Sequence, residues 1–563
     1  MIDPQEGGLF KRHCLRKPWR VPGYALEIGL LVLRRIRNKL RIRGQADPHQ
    51  GLKIRPEWLP PQPLDPAIGP LRWPSYAVFP DSPVSVPDYR LSDPTDGETA
   101  FFHHRWVACA VSVAHANRAE AAAALSEALA WIARSPAKSD VAWETYSSCE
   151  RVVNLCVLLA AFPDLLAEAD IPVVTVFLRE SVIWIDRHLE YYGLDHTNNH
   201  IFNNVRALVV AGAVLGDPAT VERGLAVFAR LGPLLFDAQG FLRERSSHYQ
   251  FVVTNWLADA AHFATLLGSL ATQVLPLQGL AEQAAQACAA LLGCSGVHIG
   301  DISPDLHPAL SLARLQALYP LPIATLSDED LLASGWLRHA DKANQLLSCL
   351  PARPYPESYA SHGHADLGSF IWRHTGRIVL ADPGRASYAE LDQTLASAHN
   401  TLCVNGQPPL AGSVRRGGRW LPLPYTRTRI EAALQADGFT LSHDGVRRIA
   451  GARQHQRSVT VHNGVLTVVD TVNGSGQVAL DWAWHLGPDW QATDVPARYC
   501  ADDMQLSVQC VPQARVSPDF QADGYLFSPV YGRRQTANVL RLRATVTLPY
   551  TMTILFEVHP CAV

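Results

Sequence analysis

The chain has 563 residues, 48% of them apolar, and sets 49 Lys and Arg against 52 Asp and Glu, so it has material for two or more hydrophobic cores and little net charge. That balance excludes a polycation built to bind nucleic acid, and no stretch reaches the roughly 18 uninterrupted apolar residues of a membrane-crossing helix. Eleven cysteines without CxxC pairs or regular spacing read as reduced, mostly buried thiols rather than a disulfide framework. With no basic, apolar, small-residue export signal in that order, the expected location is the cytoplasm, the periplasm or secretion being the alternative.

Residues 1–55 form a basic N-terminal segment, with eleven Lys and Arg between Lys11 and Arg43 against Asp3, Glu6 and Glu27. This reads as a solvated basic helix, with contact to a membrane surface through residues 11–43 as the other reading. Residues 56–98 carry eleven prolines between Pro56 and Pro94, which forbids regular helix and predicts an extended strap.

From 99 to 343 the sequence turns alanine-rich and helical in period, with helices predicted over 148–163, 173–192, 199–215, 218–231, 246–268, 277–293 and 307–319. Short connections between such helices build a bundle, solenoid or toroid. From 344 to 563 the period changes to alternation, as in "RSVTVHNGVLTVVDTVNGSG", with Asn463-Gly464 and Asn473-Gly474 as turn pairs. The fold class is therefore α+β multidomain, a helical domain followed by an antiparallel β-sandwich.

Polar clusters fall at particular places on this frame. In "LDHTNNHIFNNVRAL", Asn199 and His200 open a helix, with Asn203 and Asn204 one turn on. "RERSSHYQFVVTNWL" opens another, with Ser246 or Ser247 as N-cap and Tyr249 in the first turn. In "SYASHGHADLGSF", His362, His364 and Asp366 alternate and share one face of an extended segment, while Asp382 ends a strand in "VLADPG" and His399 follows in "SAHNTL". Two imidazoles and a carboxylate suit Zn²⁺, and satisfied structural histidines are the competing reading.

Taken in order, Asn-His on a helix, "ERSSHY" opening a later one, then "HGHAD", "LADPG" and "AHNT" in a strand-rich half resemble the heparinase II/III family of polysaccharide lyases, whose relatives include alginate lyases. "WETYSSCERVVN" and "RSVTVHNGVLTVVDTVNG" add to the resemblance, which runs from about 100 to 560. It implies an incomplete (α/α) toroid before the β-sandwich. It also implies β-elimination at a uronic acid of an anionic polysaccharide, with no organic cofactor. Asn199 then matches the amide that hydrogen-bonds the substrate carboxylate, and His200 a base or second neutraliser. Tyr249 matches the acid for the leaving oxygen, and His362 a further active-site histidine. His364, Asp382 and His399 match the ligands of a structural zinc ion, with Asp366 structural.

Trp143 and Tyr146 are candidates to stack on sugar rings, and Arg151 and Arg245 to pair with carboxylate or sulfate, Arg245 also being a cation that lowers the Tyr249 pKa. His103, His104 and His248 have no assigned role. A second function class is a catalytically silent glycan-binding or assembly protein on the same fold. Hydrolysis lacks a Glu/Asp pair at the motifs, and serine chemistry lacks GxSxG. Without an export signal, the enzyme is expected to act in a cell-surface polysaccharide pathway.

Overall fold

The computed structural model describes residues 101, 104–134, 136–138, 141–191, 197–292, 298–303, 326–350, 362–388, 392–410, 414–416, 419–421, 428–512 and 519–561, with a few positions before residue 34. The strap at 56–98, the helix predicted at 307–319 and His103 lie outside these residues, as does most of the basic segment.

Eight helices make up the described helical half: α1 (Val107–Ala114), α2 (Arg118–Arg134), α3 (Thr145–Ala161), α4 (Ile171–Arg187), α5 (His200–Leu215), α6 (Pro218–Leu235), α7 (Ser247–Thr265) and α8 (Ala271–Leu292). Two kinds alternate along the chain. α3, α5 and α7 are buried on nearly every side, whereas α2, α4 and α6 bury one stripe each. α1, α3, α5 and α7 pack against one another in succession, and the even-numbered helices lie against them.

Local chemistry sets the helix starts. Glu144 caps α3 by accepting from the backbone N–H of Tyr146 and Ser147, Asp217 caps α6 ahead of Pro218, and Ser246 caps α7 by accepting from Tyr249 N–H. Gly216, at φ 62°, ends α5. Among the described residues no single helix is long and apolar enough to cross a membrane.

The strand half opens earlier than the predicted boundary at 344. α9 (Asp328–Ala333) precedes β1 (Trp336–Ala340), which pairs antiparallel with β2 (Asn344–Cys349), and β3 (Ile371–His374) and β4 (Arg377–Leu380) complete a four-stranded sheet. The short β1 lacked a clear alternating pattern before the turn at 341–343. β6 (Val414–Arg416) and β7 (Arg419–Leu421) pair with each other, and a larger ten-stranded sheet is made of β5 (Leu402–Val404), β8 (Ile430–Gln435), β9 (Gly438–His443), β10 (Ala452–His462), β11 (Val465–His485), β12 (Gln491–Ala492), β13 (Arg498–Ala501), β14 (Met504–Pro512), β15 (Asp519–Phe527) and β16 (Gln535–Pro560). One apolar cluster draws side chains from both sheets.

Asn463-Gly464 forms the expected hairpin turn, since His462 pairs with Val465. Asn473-Gly474 does not turn the chain. It lies inside β11 at a shift of register between Val472 and Gly476, where Gly474 lets the backbone of Gly451 come so close that a Cβ would sit 2.1 Å from its oxygen.

A third apolar cluster joins the halves, bringing Phe241, Leu291 and Ile299 against Leu331, Trp336 and Ile371. The same junction carries the hydrogen bond from Asp301 N–H to the His362 carbonyl at 2.8 Å. A Cβ on Gly300 would sit 2.6 Å from that carbonyl, so the two loops meet where only glycine fits.

Candidate active site

The start of α5 is built around two buried carboxylates. Asn199 is fully buried and gives both its backbone N–H (2.6 Å) and its Nδ2 (2.7 Å) to Glu244, while its Oδ1 has no partner among the described residues. His200, the one residue of α5 that is not buried, holds Nδ1 2.6 Å from Glu190 Oε1. Asn204, one turn on, grips the same glutamate at two points: its Oδ1 accepts from Glu190 N–H at 2.8 Å, and its Nδ2 donates to Glu190 Oε2 at 3.0 Å. Burial works to lower the His200 pKa, but the Glu190 charge and hydrogen bond, with Glu144 and Glu244 behind them, raise it to about 9. These carboxylates thus favour the imidazolium form of His200 near neutral pH.

The second group forms where the halves meet. The Tyr249 ring, in the first turn of α7, stacks on the His362 ring with centroids 3.5 Å apart and planes 6° from parallel. Its hydroxyl hydrogen-bonds the hydroxyl of Tyr388. His362 Nδ1 lies 3.0 Å from Asp301 Oδ2, and its Nε2 lies 3.8 Å from Glu244 Oε2. Glu244 thus faces Asn199 on one side and His362 on the other.

Arg385 donates to Asp301 at 3.1 Å and to the Tyr388 carbonyl at 2.8 Å, with its guanidinium 5.1 Å from the Tyr388 ring centre. Burial alone would raise the Asp301 carboxyl, yet Arg385, His362 and His364 together hold it well below the usual carboxylate range. A charged Asp301 orients the imidazole of His362 as a carboxylate does in a catalytic dyad.

The third group is His364, Asp382 and His399, whose ligand atoms all lie within 4.8 Å of one another. His399 Nδ1 sits 3.1 Å from Asp382 Oδ2, and His364 Nε2 sits 2.8 Å from Asp301 Oδ1. Buried His399 Nε2 and His364 Nδ1 have no partner among the described residues, so each ring keeps one nitrogen for a ligand. This donor set fits a divalent metal such as Zn²⁺, with Asp301 bonded to the far side of a ligand histidine. Burial, aided by the Asp382 charge, pushes the Asp366 carboxyl up to about 6, against His399.

Three of the four proposed substrate contacts lie elsewhere. Trp143 is buried in an aromatic cluster with Trp131 and Trp184, its indole N–H on the Pro136 carbonyl. Arg151 is fully buried, donates to the His104 and Ala142 carbonyls, and lies 4.3 Å from the Trp131 ring centre. Arg245 reaches away to the Ser334 carbonyl, packing on Gly335, so it ties the halves together, and Arg385 is the arginine near Tyr249. Only Tyr146 stays at the site, its ring 4.8 Å from that of His200 and 4.7 Å from the Arg105 guanidinium.

His104 accepts from the Trp131 indole, and His248 from Ser303 N–H. Glu190, Asp301, Arg385 and Tyr388 had no signal in the sequence beyond their residue type, whereas Glu244 opens the "ERSSHY" stretch but had no role assigned to it. They sit in loops, without periodicity, and only the fold brings them together.

Residues 324–555 match the family model of the heparinase II/III-like C-terminal domain. Among solved structures, the chain is similar to a heparinase III (13% identity, TM-score 0.63, covering 81% of this chain and 76% of that one). It is similar also to a heparinase III gene product (16%, 0.60, 84% and 80%) and to a mutant of the heparan sulfate lyase HepC from Pedobacter heparinus (17%, 0.57, 95% and 88%). At these identities the likeness is one of fold. No curated protein sequence matches the chain. The family match thus falls on the strand half, while the likeness in fold to the solved structures covers 81–95% of the chain.

Proposed function

We propose that this heparinase II/III-like chain is a polysaccharide lyase that cuts a uronic-acid-containing polysaccharide by β-elimination and leaves an unsaturated uronate at the new non-reducing end. The observation that carries this reading is the stack of Tyr249 on His362, two proton-transfer groups from different halves of the chain set 3.5 Å apart. The alternating helices fit an incomplete (α/α) toroid, and two sheets around one core fit an antiparallel β-sandwich.

Elimination needs a neutralised carboxylate, a base for the C5 proton and an acid for the C4 oxygen. His200, already protonated through its partnership with Glu190, serves as the neutraliser and not the base. Tyr249 gives its proton to the leaving oxygen. For one C5 epimer it also takes the C5 proton; for the other, His362 Nε2 takes it, with Asp301 on the opposite nitrogen. Asn199 joins the carboxylate once substrate opens the site, because here it is buried and spends one amide hydrogen on Glu244. Tyr146, beside His200, packs on the sugar ring.

Zn²⁺ held by His364, Asp382 and His399 belongs to the same proposal, supported by the two unpartnered imidazole nitrogens. Its contribution is structural, fixing the segment that presents His362 two residues away. Action from the cytoplasm in a cell-surface polysaccharide pathway completes the reading.

The test is incubation with a panel of uronate polymers while following the ultraviolet absorbance of a conjugated unsaturated uronate. Rising absorbance with at least one polymer is expected. New reducing ends without absorbance would make the protein a hydrolase, and binding without either would make it a silent module.

A further inference from the structure

His200 is the one residue of α5 that is not buried, and the group that holds it comes from outside the helix. Glu190 follows α4, is 6% exposed, and spends one carboxylate oxygen on His200 Nδ1 and the other on Asn204 Nδ2. Asn204 returns a bond from its Oδ1 to the Glu190 backbone N–H, so the glutamate is fixed at main chain and side chain alike. Both side-chain partners of Glu190, His200 and Asn204, lie on α5 one turn apart, which explains Asn204 in "NNHIFNN".

We propose that Glu190, clamped by Asn204, is a positioning residue that keeps His200 oriented and cationic for an acidic sugar. The inference rests on the lyase reading for the identity of that sugar, but the Glu190–His200 coupling stands on its own geometry. Buried fixed carboxylates favour the charged imidazole, and a neutral amide in the same place would not.

Glu144 at the start of α3 and Glu244 ahead of α7 add negative charge at longer range. Tyr146 on α3 presents its ring at 4.8 Å, with Arg105 beyond it, and Cys149 on α3 accepts a hydrogen bond from Asn204 at 3.3 Å. Among the described residues, Glu190 is the charged group that touches the imidazole.

A histidine raised from 6.5 to about 9 stays protonated through neutrality and loses its proton as pH rises through about 9. Diethyl pyrocarbonate acylates only neutral imidazole, so the pH dependence of His200 modification, located by peptide mass spectrometry, reads this without any turnover. Exposed His462 serves as internal reference.

In the wild-type protein His200 should become reactive only well above neutrality. In Glu190→Gln its modification near neutral pH should be at least about tenfold faster, since each pKa unit changes the neutral fraction about tenfold. Glu190→Asp, which keeps the charge, should stay close to wild type. On a cleavable polymer, Glu190→Gln should lose turnover at neutral pH and regain part of it on acidification, which a merely misfolded variant would not do.

A wild-type midpoint near the ordinary histidine value, or equal reactivity in wild type and Glu190→Gln, would overturn the proposal. If no polymer is cleaved at all, the modification profile still decides the role of Glu190, and the lyase reading fails separately.

Discussion

His200 and His362 are each held by a carboxylate, with different consequences. Glu190 is itself locked by Asn204 and lends its charge to His200. Asp301 is shared among His362, His364 and Arg385, so its charge is spread over three partners. The phenol of Tyr249 sits between these histidines in function, at the start of α7, where the helix dipole favours a developing phenolate. Replacing Tyr249 by Phe removes the proposed acid and its hydrogen bond to Tyr388, while its ring contact with His362 survives. Turnover should fall by roughly a hundredfold to ten-thousandfold while oligosaccharide affinity changes little. Steady-state kinetics with a binding titration checks this, and near-normal turnover would remove Tyr249 from the chemistry.

At the same scale, legibility in the sequence was uneven. Asn199, His200, Tyr249 and His362 stand in compact motifs whose order along the chain carries a family resemblance. Glu190 and Asp301 are single acids in loops, with nothing local to distinguish them from surface carboxylates, while Glu244 stands in the "ERSSHY" stretch without any local sign of its partners. Trp143 and Arg151 misled for the opposite reason. An aromatic and an arginine on a helix look like sugar contacts, yet here the guanidinium is satisfied by main-chain carbonyls and enclosed by tryptophans.

At the level of elements, the hairpin of β10 and β11 supports the site from behind. Arg457 donates to both oxygens of Asp470 at 2.7 Å and to the carbonyls of Gly368 and Asn400. Those carbonyls belong to the segments that carry His364 and His399. Asp470 also receives the Trp482 indole and His455, all fully buried.

Replacing Arg457 by Met leaves Asp470 as an uncompensated buried charge, which costs about 3–5 kcal/mol. Chemical denaturation should show that loss, with weakened metal retention if the supported segments loosen. An unchanged midpoint would mean that the pair is not structural. The hairpin turn at Asn463-Gly464 was legible from its residue pair, but the similar pair at 473–474 became a bulge because β11 continues through it beside Gly451. Local turn chemistry alone could not separate the two outcomes.

For the whole molecule, the decisive feature is that two halves of different secondary structure complete one site. Helix period and strand alternation made both halves readable. Their docking was not readable, since it depends on an apolar junction, on Gly300 and on the helical half's loop carboxylates Glu244 and Asp301 meeting His362, His364 and Arg385. Metal fits this scale, because His364 reaches Asp301 from the helical half while facing Asp382 and His399. Metal analysis of the purified protein should find about one zinc ion per chain, and His399→Ala should lose it along with thermal stability. Protein prepared with zinc present that never holds the ion would contradict the assignment.

Elimination and hydrolysis differ in whether water enters the product. A uronate polymer that the protein cleaves should therefore be digested in water enriched in heavy oxygen, and the products weighed by mass spectrometry. Elimination predicts fragments that carry no heavy oxygen from the cut, with the new non-reducing-end piece lighter by one water than its saturated counterpart. Heavy oxygen in a new end beyond the slow exchange that an undigested reducing oligosaccharide shows in the same water, with no piece lighter by one water, would contradict it.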